Sequence, residues 1–213
     1  MALSESLGWP GTAHNRKGRI RPEPDTQSMT KTPHLDPLRA ELRSLKLTQP
    51  PSPWRKISMI AVGGLRAVGF DRQSEQLLVV SYAGRGVIDC KTGDRIARDD
   101  SEYFEDTRFM EAQGIGPLEG LTLRVSGGQG GGLPTSTQDG WSIEVLTREW
   151  PEQEVLILEP FASLYDFLQH KPSRFRKIAV ESELRAAGFS YTGRTVIIAS
   201  SSDITIFGRD NAD

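Results

Sequence analysis

The chain has 213 residues, 37% hydrophobic and 25% charged, with a formal net charge of −2. That is the composition of a soluble globular protein, and no apolar run approaches the roughly 18–20 residues that span a bilayer, so no membrane partner is expected. A single cysteine, Cys90, excludes an intrachain disulfide or a cysteine metal cluster and points to a reducing, cytoplasmic setting.

Residues 1–33 are rich in Gly, Pro, Ser, Thr and charge, and poor in large apolar side chains. Such a stretch cannot bury enough surface to offset the entropy of ordering, so it predicts a flexible N-terminal arm. It has no apolar core behind a basic start, as a secretory signal would. Residues 1–53 hold 8 Lys/Arg against 5 Asp/Glu, and the remainder 18 against 23. The body is therefore mildly acidic, and nucleic acid is an expected partner only through the arm, where Arg16, Lys17, Arg19 and Arg21 cluster.

Residues 34–53 read as a short helix and a Pro-rich linker. In HLDPLRAELRSLKL, Asp36 is placed to cap, Pro37 suits the first helical position, and Leu38, Leu42 and Leu45 share a face. QPPSP ends the helix.

From Trp54 onward the pattern is mainly β. LLVVSY (77–82), GVIDC (86–90), LTLRV (121–125), WSIEVL (141–146), EVLILE (154–159), TVIIAS (195–200) and ITIF (204–207) are short β-prone runs, most of them separated by turn residues. They predict an antiparallel all-β body over 54–213, with one further short helix at FASLYDFLQH (161–170).

This body contains an internal repeat. Leu65-Arg66-Ala67 matches Leu184-Arg185-Ala186, and Gly69-Phe70 matches Gly188-Phe189, both at an offset of 119 residues. LLVVS (77–81) then meets VIIAS (196–200), so units at 55–98 and 176–209 each read strand, turn, strand, turn, strand. The first continues through Thr92-Gly93-Asp94 into an alternating fourth strand. GFDRQSEQLLVVSYAGRGVIDCKTGDRIAR resembles a β-propeller blade of the tryptophan–aspartate-repeat kind, and GFSYTGRTVIIASSSDITIFGR resembles the same unit without its last strand. The Trp-Asp dipeptide itself is absent from both. The resemblance implies a propeller-like body with divergent blades, in which an N-terminal strand completes the second unit. Arg55–Ile60 is available for that place beside Ile204–Phe207. A β-sandwich or an irregular barrel built round two related hairpins is the alternative.

Motifs for chemistry are sparse. Of three histidines, His14 and His34 lie in or beside the arm, and His170 ends the second predicted helix; no Gly-x-Ser-x-Gly elbow accompanies them. Cys90 sits in an apolar strand with no nearby base. The acidic run DDSEYFED (99–106) lacks the spacing of a calcium loop. The glycine stretch SGGQGGGLPTSTQDGW (126–141) leads to a strand and not to a helix, which argues against a phosphate cradle and for a mobile loop between strands. No catalytic residue, metal ligand or cofactor is expected. The best candidates for contact with a protein partner are Gln129, Thr135, Thr137, Gln138 and Asp139 on that loop, with Trp141, Tyr103 and Arg108 beside it. The sequence points to a non-catalytic protein-binding module, such as an inhibitor or immunity-type protein or a subunit of a larger complex. The alternative is a carboxylate-dependent hydrolase or metal-binding enzyme using a pair among Asp99, Asp100, Glu102 and Asp106.

Overall fold

A computed structural model describes residues 32–210. Most of the expected arm, with His14 and the basic cluster Arg16–Arg21, lies outside the described residues. From His34 onward the chain forms one compact unit. None of its helices is long and apolar enough to cross a membrane.

The first helix, α1, runs Asp36–Ser44. Asp36 is its first residue and not its cap: the cap position falls to Leu35, which makes no side-chain bond. The Asp36 carboxylate instead accepts a hydrogen bond from Arg39 at 2.9 Å. Leu38 and Leu42 are buried, as their spacing predicts.

Fourteen strands follow among the described residues. They are β1 (Arg55–Ala61), β2 (Leu65–Phe70), β3 (Gln76–Ser81), β4 (Gly84–Asp89) and β5 (Asp94–Asp99). Next come β6 (Glu111–Gln113), β7 (Thr122–Arg124), β8 (Ser126–Gly127), β9 (Ser142–Glu149) and β10 (Glu152–Leu158). The last four are β11 (Phe175–Glu181), β12 (Leu184–Phe189), β13 (Thr195–Ser200) and β14 (Asp203–Gly208). All strand pairings within the sheets are antiparallel. The second expected helix is a 3-10 helix, Leu164–Gln169, started by a capping box of Ser163 and Asp166.

The strands form four sheets, in the orders β5-β4-β3-β2-β8, β1-β14-β13-β12, β11-β10-β9 and β6-β7. The internal repeat is kept residue for residue. Adding 119 to the bounds of β2, β3 and β4 gives the bounds of β12, β13 and β14. A fourth strand completes each meander: β5 in the first, and in the second β1, which lies against β14 with Ile60 opposite Ile204. This is the pairing expected from the sequence. Residues 99–177 do not supply two further four-stranded sheets. They hold the β6-β7 ribbon and most of the three-stranded sheet, and no closed barrel or propeller is present among the described residues.

The sheets stack, and each strand face finds a different neighbour. From the second sheet, Ile197, Ala199, Ile204 and Ile206 pack against Val68, Leu77 and Ile88 of the first. The alternate residues Val196, Ile198 and Phe207 pack with Ile143, Val155 and Ile178 of the third. The outer face of the first sheet is covered by Ala112 and Leu123 of the ribbon, and that of the third by Leu38 and Leu42 of α1. Burial on both faces explains why LLVVS and TVIIAS are continuous apolar runs without polar alternation.

The repeated Gly-Phe has a steric cause. Phe70 and Phe189 are 2% and 0% exposed. The glycine before each lets a crossing segment touch the strand backbone: a Cβ on Gly69 would lie 2.3 Å from the Arg124 carbonyl oxygen, and one on Gly188 would lie 2.5 Å from the Leu133 Cβ. Gly69→Ala is therefore expected to lower stability by about 2 kcal/mol, the cost of overpacking against backbone, in chemical denaturation.

The third sheet carries a buried ion-pair triad. Glu154 accepts hydrogen bonds from Arg148 and, at 2.9 Å, from Lys177, with Glu154 and Lys177 almost wholly buried. The Arg148 hydrogen bond, followed by that from Lys177, holds the Glu154 carboxyl below its usual range despite the opposing effect of burial. A depressed folded-state pKa gives stability that is present above the unfolded value of about 4.3 and lost as pH falls through the folded one. Glu154→Gln should cost about 3 kcal/mol at pH 7 by leaving Lys177 without its countercharge. It should also flatten the loss of stability below about pH 4 seen in equilibrium unfolding of the parent protein.

Candidate functional site

The other half of the repeated motif, Leu-Arg-Ala, marks a pair of β-bulges. The register shifts between Leu65 and Ala67 against β3, and between Leu184 and Ala186 against β13. Bulges re-aim the side chain they carry. Here the re-aimed residues are Arg66 and Arg185, on β2 and β12, which approach each other from the two repeated sheets, and both line one small cavity of about 70 Å³. Tyr82, Glu105 and Gln129 share its wall with Leu65 and Gly128.

The two arginines are held differently. Arg66 makes a fork-to-fork pair with Glu105, Nε to Oε2 at 3.0 Å and Nη2 to Oε1 at 3.1 Å. The Glu105 side chain is only 2% exposed. The Arg66 guanidinium also lies over two rings, Phe104 at 4.6 Å and Tyr82 at 5.1 Å. Those rings face outward, Tyr82 75% and Phe104 55% exposed. Arg185 donates to Glu183 at 3.3 Å, and its buried Nε has no hydrogen-bond partner. Gly128 lies directly against its guanidinium: a Cβ there would be 2.8 Å from Nη1.

The residues expected to meet a partner do not come together, and those on the loop fall in two places. Gln129 joins the arginine face. Thr135, Thr137, Gln138 and Asp139 lie at the other end of the glycine-rich segment. That segment is tied down and not free. Ser126 and Gly127 pair with β2, Leu133 enters the core, and the Pro134 carbonyl accepts from the Phe189 N–H at 2.8 Å. The Thr137 hydroxyl accepts from the Trp141 N–H at 3.0 Å. Trp141 itself is 5% exposed and meets Trp54 edge-on at 5.8 Å, so it is a core residue. Tyr103 lies under Arg85 at 4.0 Å and its hydroxyl accepts from the Gln113 N–H. Arg108 lies over Phe109 at 5.0 Å, with both side chains exposed.

The acidic run does not gather into one carboxylate pocket. Asp99 pairs with Arg85, Asp100 with Arg98, Glu105 with Arg66, and Asp106 accepts from the backbone of Arg108 and Phe109. Hydrogen bonds from Ser101 and then Arg85 hold Asp99 down at about 2. Among the described residues no three His, Cys, Asp or Glu side chains group to hold a metal ion. Glu181 is raised by burial and by Asp203, but it lies on β11, outside the acidic run.

No protein-family model matches the sequence. No curated protein matches it significantly either.

Arg66, Arg185, Tyr82 and Glu105 are not among the residues expected from the sequence to meet a partner. The signal for the first two was the repeat itself: an arginine kept between apolar neighbours in both copies calls for a reason beyond packing.

Asp139 anchors the far end of the glycine-rich segment through a two-pronged pair with Arg209, Nη2 to Oδ1 at 2.7 Å. Arg209 also donates to the Gly193 carbonyl at 2.8 Å and lies over Trp54 at 4.7 Å. Its hydrogen bonds hold the Asp139 carboxyl below the usual carboxylate range. Arg209→Ala should release this end of the loop, seen as at least about tenfold faster amide exchange at Thr137–Trp141 with the strands of the first sheet unchanged.

Proposed function

We propose that the protein is a non-catalytic binding module whose partner is another protein. The observation that carries this is the arginine face: an arginine fixed by a buried carboxylate, flanked by two exposed aromatic rings, on strands buried on both sides. Tyr and Arg are the favoured anchors of protein interfaces, and anchors already held in one rotamer lose little entropy on binding. Gln129 and Arg185 give this face adaptable polar groups at its rim. The match of the two three-strand meanders at a constant offset of 119 residues, and the completion of the second by β1, support a divergent, open propeller-like array as the scaffold. An inhibitor or immunity-type protein and a subunit of a larger complex both fit such a face. The carboxylate-enzyme alternative has less support, because the acidic side chains of 99–106 that make contacts are engaged by arginines or turns.

The test is affinity capture from native lysate with the parent protein and with Tyr82→Ala/Phe104→Ala. Both rings are largely exposed, so the double variant should keep its unfolding free energy within about 1 kcal/mol of the parent. The parent should retain a protein at near-equal stoichiometry, and the variant should lose it. Equal retention by both proteins, or none by the parent, refutes the assignment.

A further inference from the structure

On the seam between the two repeated sheets lies a second cavity, of about 280 Å³. Glu75 and Cys90 come from the first sheet, Arg194 and Thr195 from the start of β13, and Arg55 and Gly208 from the β1-β14 pair. Glu75 and Arg194 are repeat equivalents, 119 residues apart, each standing one residue before its strand. The fold thus sets opposite charges at matching positions around one cavity.

Two features point to a ligand. Glu75 is only 4% exposed. One of its carboxylate oxygens accepts from the Thr192 hydroxyl, while Oε2 is buried with no hydrogen-bond partner. A buried acceptor left unpaired is costly, and Glu75 lines the cavity, so a donor bound there would complete its hydrogen bonding once the carboxylate turns toward it. The rim, by contrast, is basic. Lys91 and Arg194 are exposed and engage no carboxylate among the described residues, and Arg55 is only loosely paired, at 3.4 Å, with an exposed Asp210. Arg209 is committed to Asp139. Three cations against Asp210 leave the rim about two charges positive. Cys90 contributes packing and not a nucleophile, since burial, then Glu75 and Asp89, push its thiol well above the usual range.

We propose that this cavity binds a small phosphorylated amine, with its N–H donors at Glu75 and its phosphate among Arg55, Lys91 and Arg194. A phosphate monoester carries about −1.5 to −2 charges at neutral pH, which matches the rim better than one carboxylate does. Planar guanidinium forks suit its oxygens. The small volume limits the ligand to a few heavy atoms beyond the phosphate.

The test is titration calorimetry of the full chain at low salt with phosphoethanolamine, inorganic phosphate and ethanolamine. Phosphoethanolamine should bind one to one, at least about tenfold more tightly than phosphate, as expected for one added charge-assisted hydrogen bond. Ethanolamine should give no detectable heat. Arg194→Ala, at an exposed side chain, should weaken phosphoethanolamine by about tenfold or more, and Glu75→Gln should reduce it to the level of phosphate. Tyr82→Ala/Phe104→Ala should bind it as the parent does, which separates this site from the partner face. Absence of phosphoethanolamine binding, equal affinity for phosphate and phosphoethanolamine, or an unchanged Arg194→Ala would each overturn the proposal.

Discussion

The pairing of β1 with β14 is the constraint on which the other contacts depend. Without β1, one edge of β14 would expose a row of unpaired backbone groups, in a strand whose Ile204, Ile206 and Phe207 are buried. β1 supplies the missing hydrogen bonds and adds Ile57 and Ile60 to the core between the two repeated sheets. Because β1 is held there, Trp54 just before it reaches the next core, where it meets Trp141 and Phe189. One strand joins the two largest packing layers, and it comes from the opposite end of the described chain to the strand it completes. Such a long sequence separation makes the pairing entropically costly, since loop entropy must be given up to bring the two strands together.

The sequence made the repeated units legible because each repeated residue has a strict local cause. Gly69 and Gly188 are needed where another segment touches the strand, Phe70 and Phe189 fill the layers, and Arg66 and Arg185 stand at bulges. These requirements act within a few residues, so they leave a pattern. The path of residues 99–141 leaves none. Glu105 is a single letter in an acidic run, and only the fold brings it to Arg66, 39 residues away. Leu133 and Pro134 look like loop residues, yet they pack on Gly188 more than fifty positions later. Trp141, which by residue type suits an interface, proves to be core because Trp54 and the Phe189 layer need an aromatic partner there. The glycine-rich segment likewise reads as mobile. Its glycines serve close approach instead: a Cβ on Gly127 would lie 2.1 Å from the Arg66 carbonyl, and one on Gly131 would lie 2.1 Å from that of Val125.

A duplicated unit separates structural from functional demands within one molecule. Where the copies agree, at Gly-Phe and at the buried Ser81 and Ser200, each residue does the same local task. Both serine hydroxyls, for example, accept hydrogen bonds from the turn that follows. Where the copies hold the same backbone position but differ in chemistry, the fold does not explain the difference. Arg66 has a buried carboxylate and two rings, whereas Arg185 has an exposed carboxylate and a glycine; Glu75 stands where the other copy has Arg194. Both divergent pairs line cavities at the seam between the repeated sheets, where the two copies face each other and their side chains meet. An asymmetric surface on a near-symmetric frame needs only side-chain changes at that seam, with the strands and their layers left as they are.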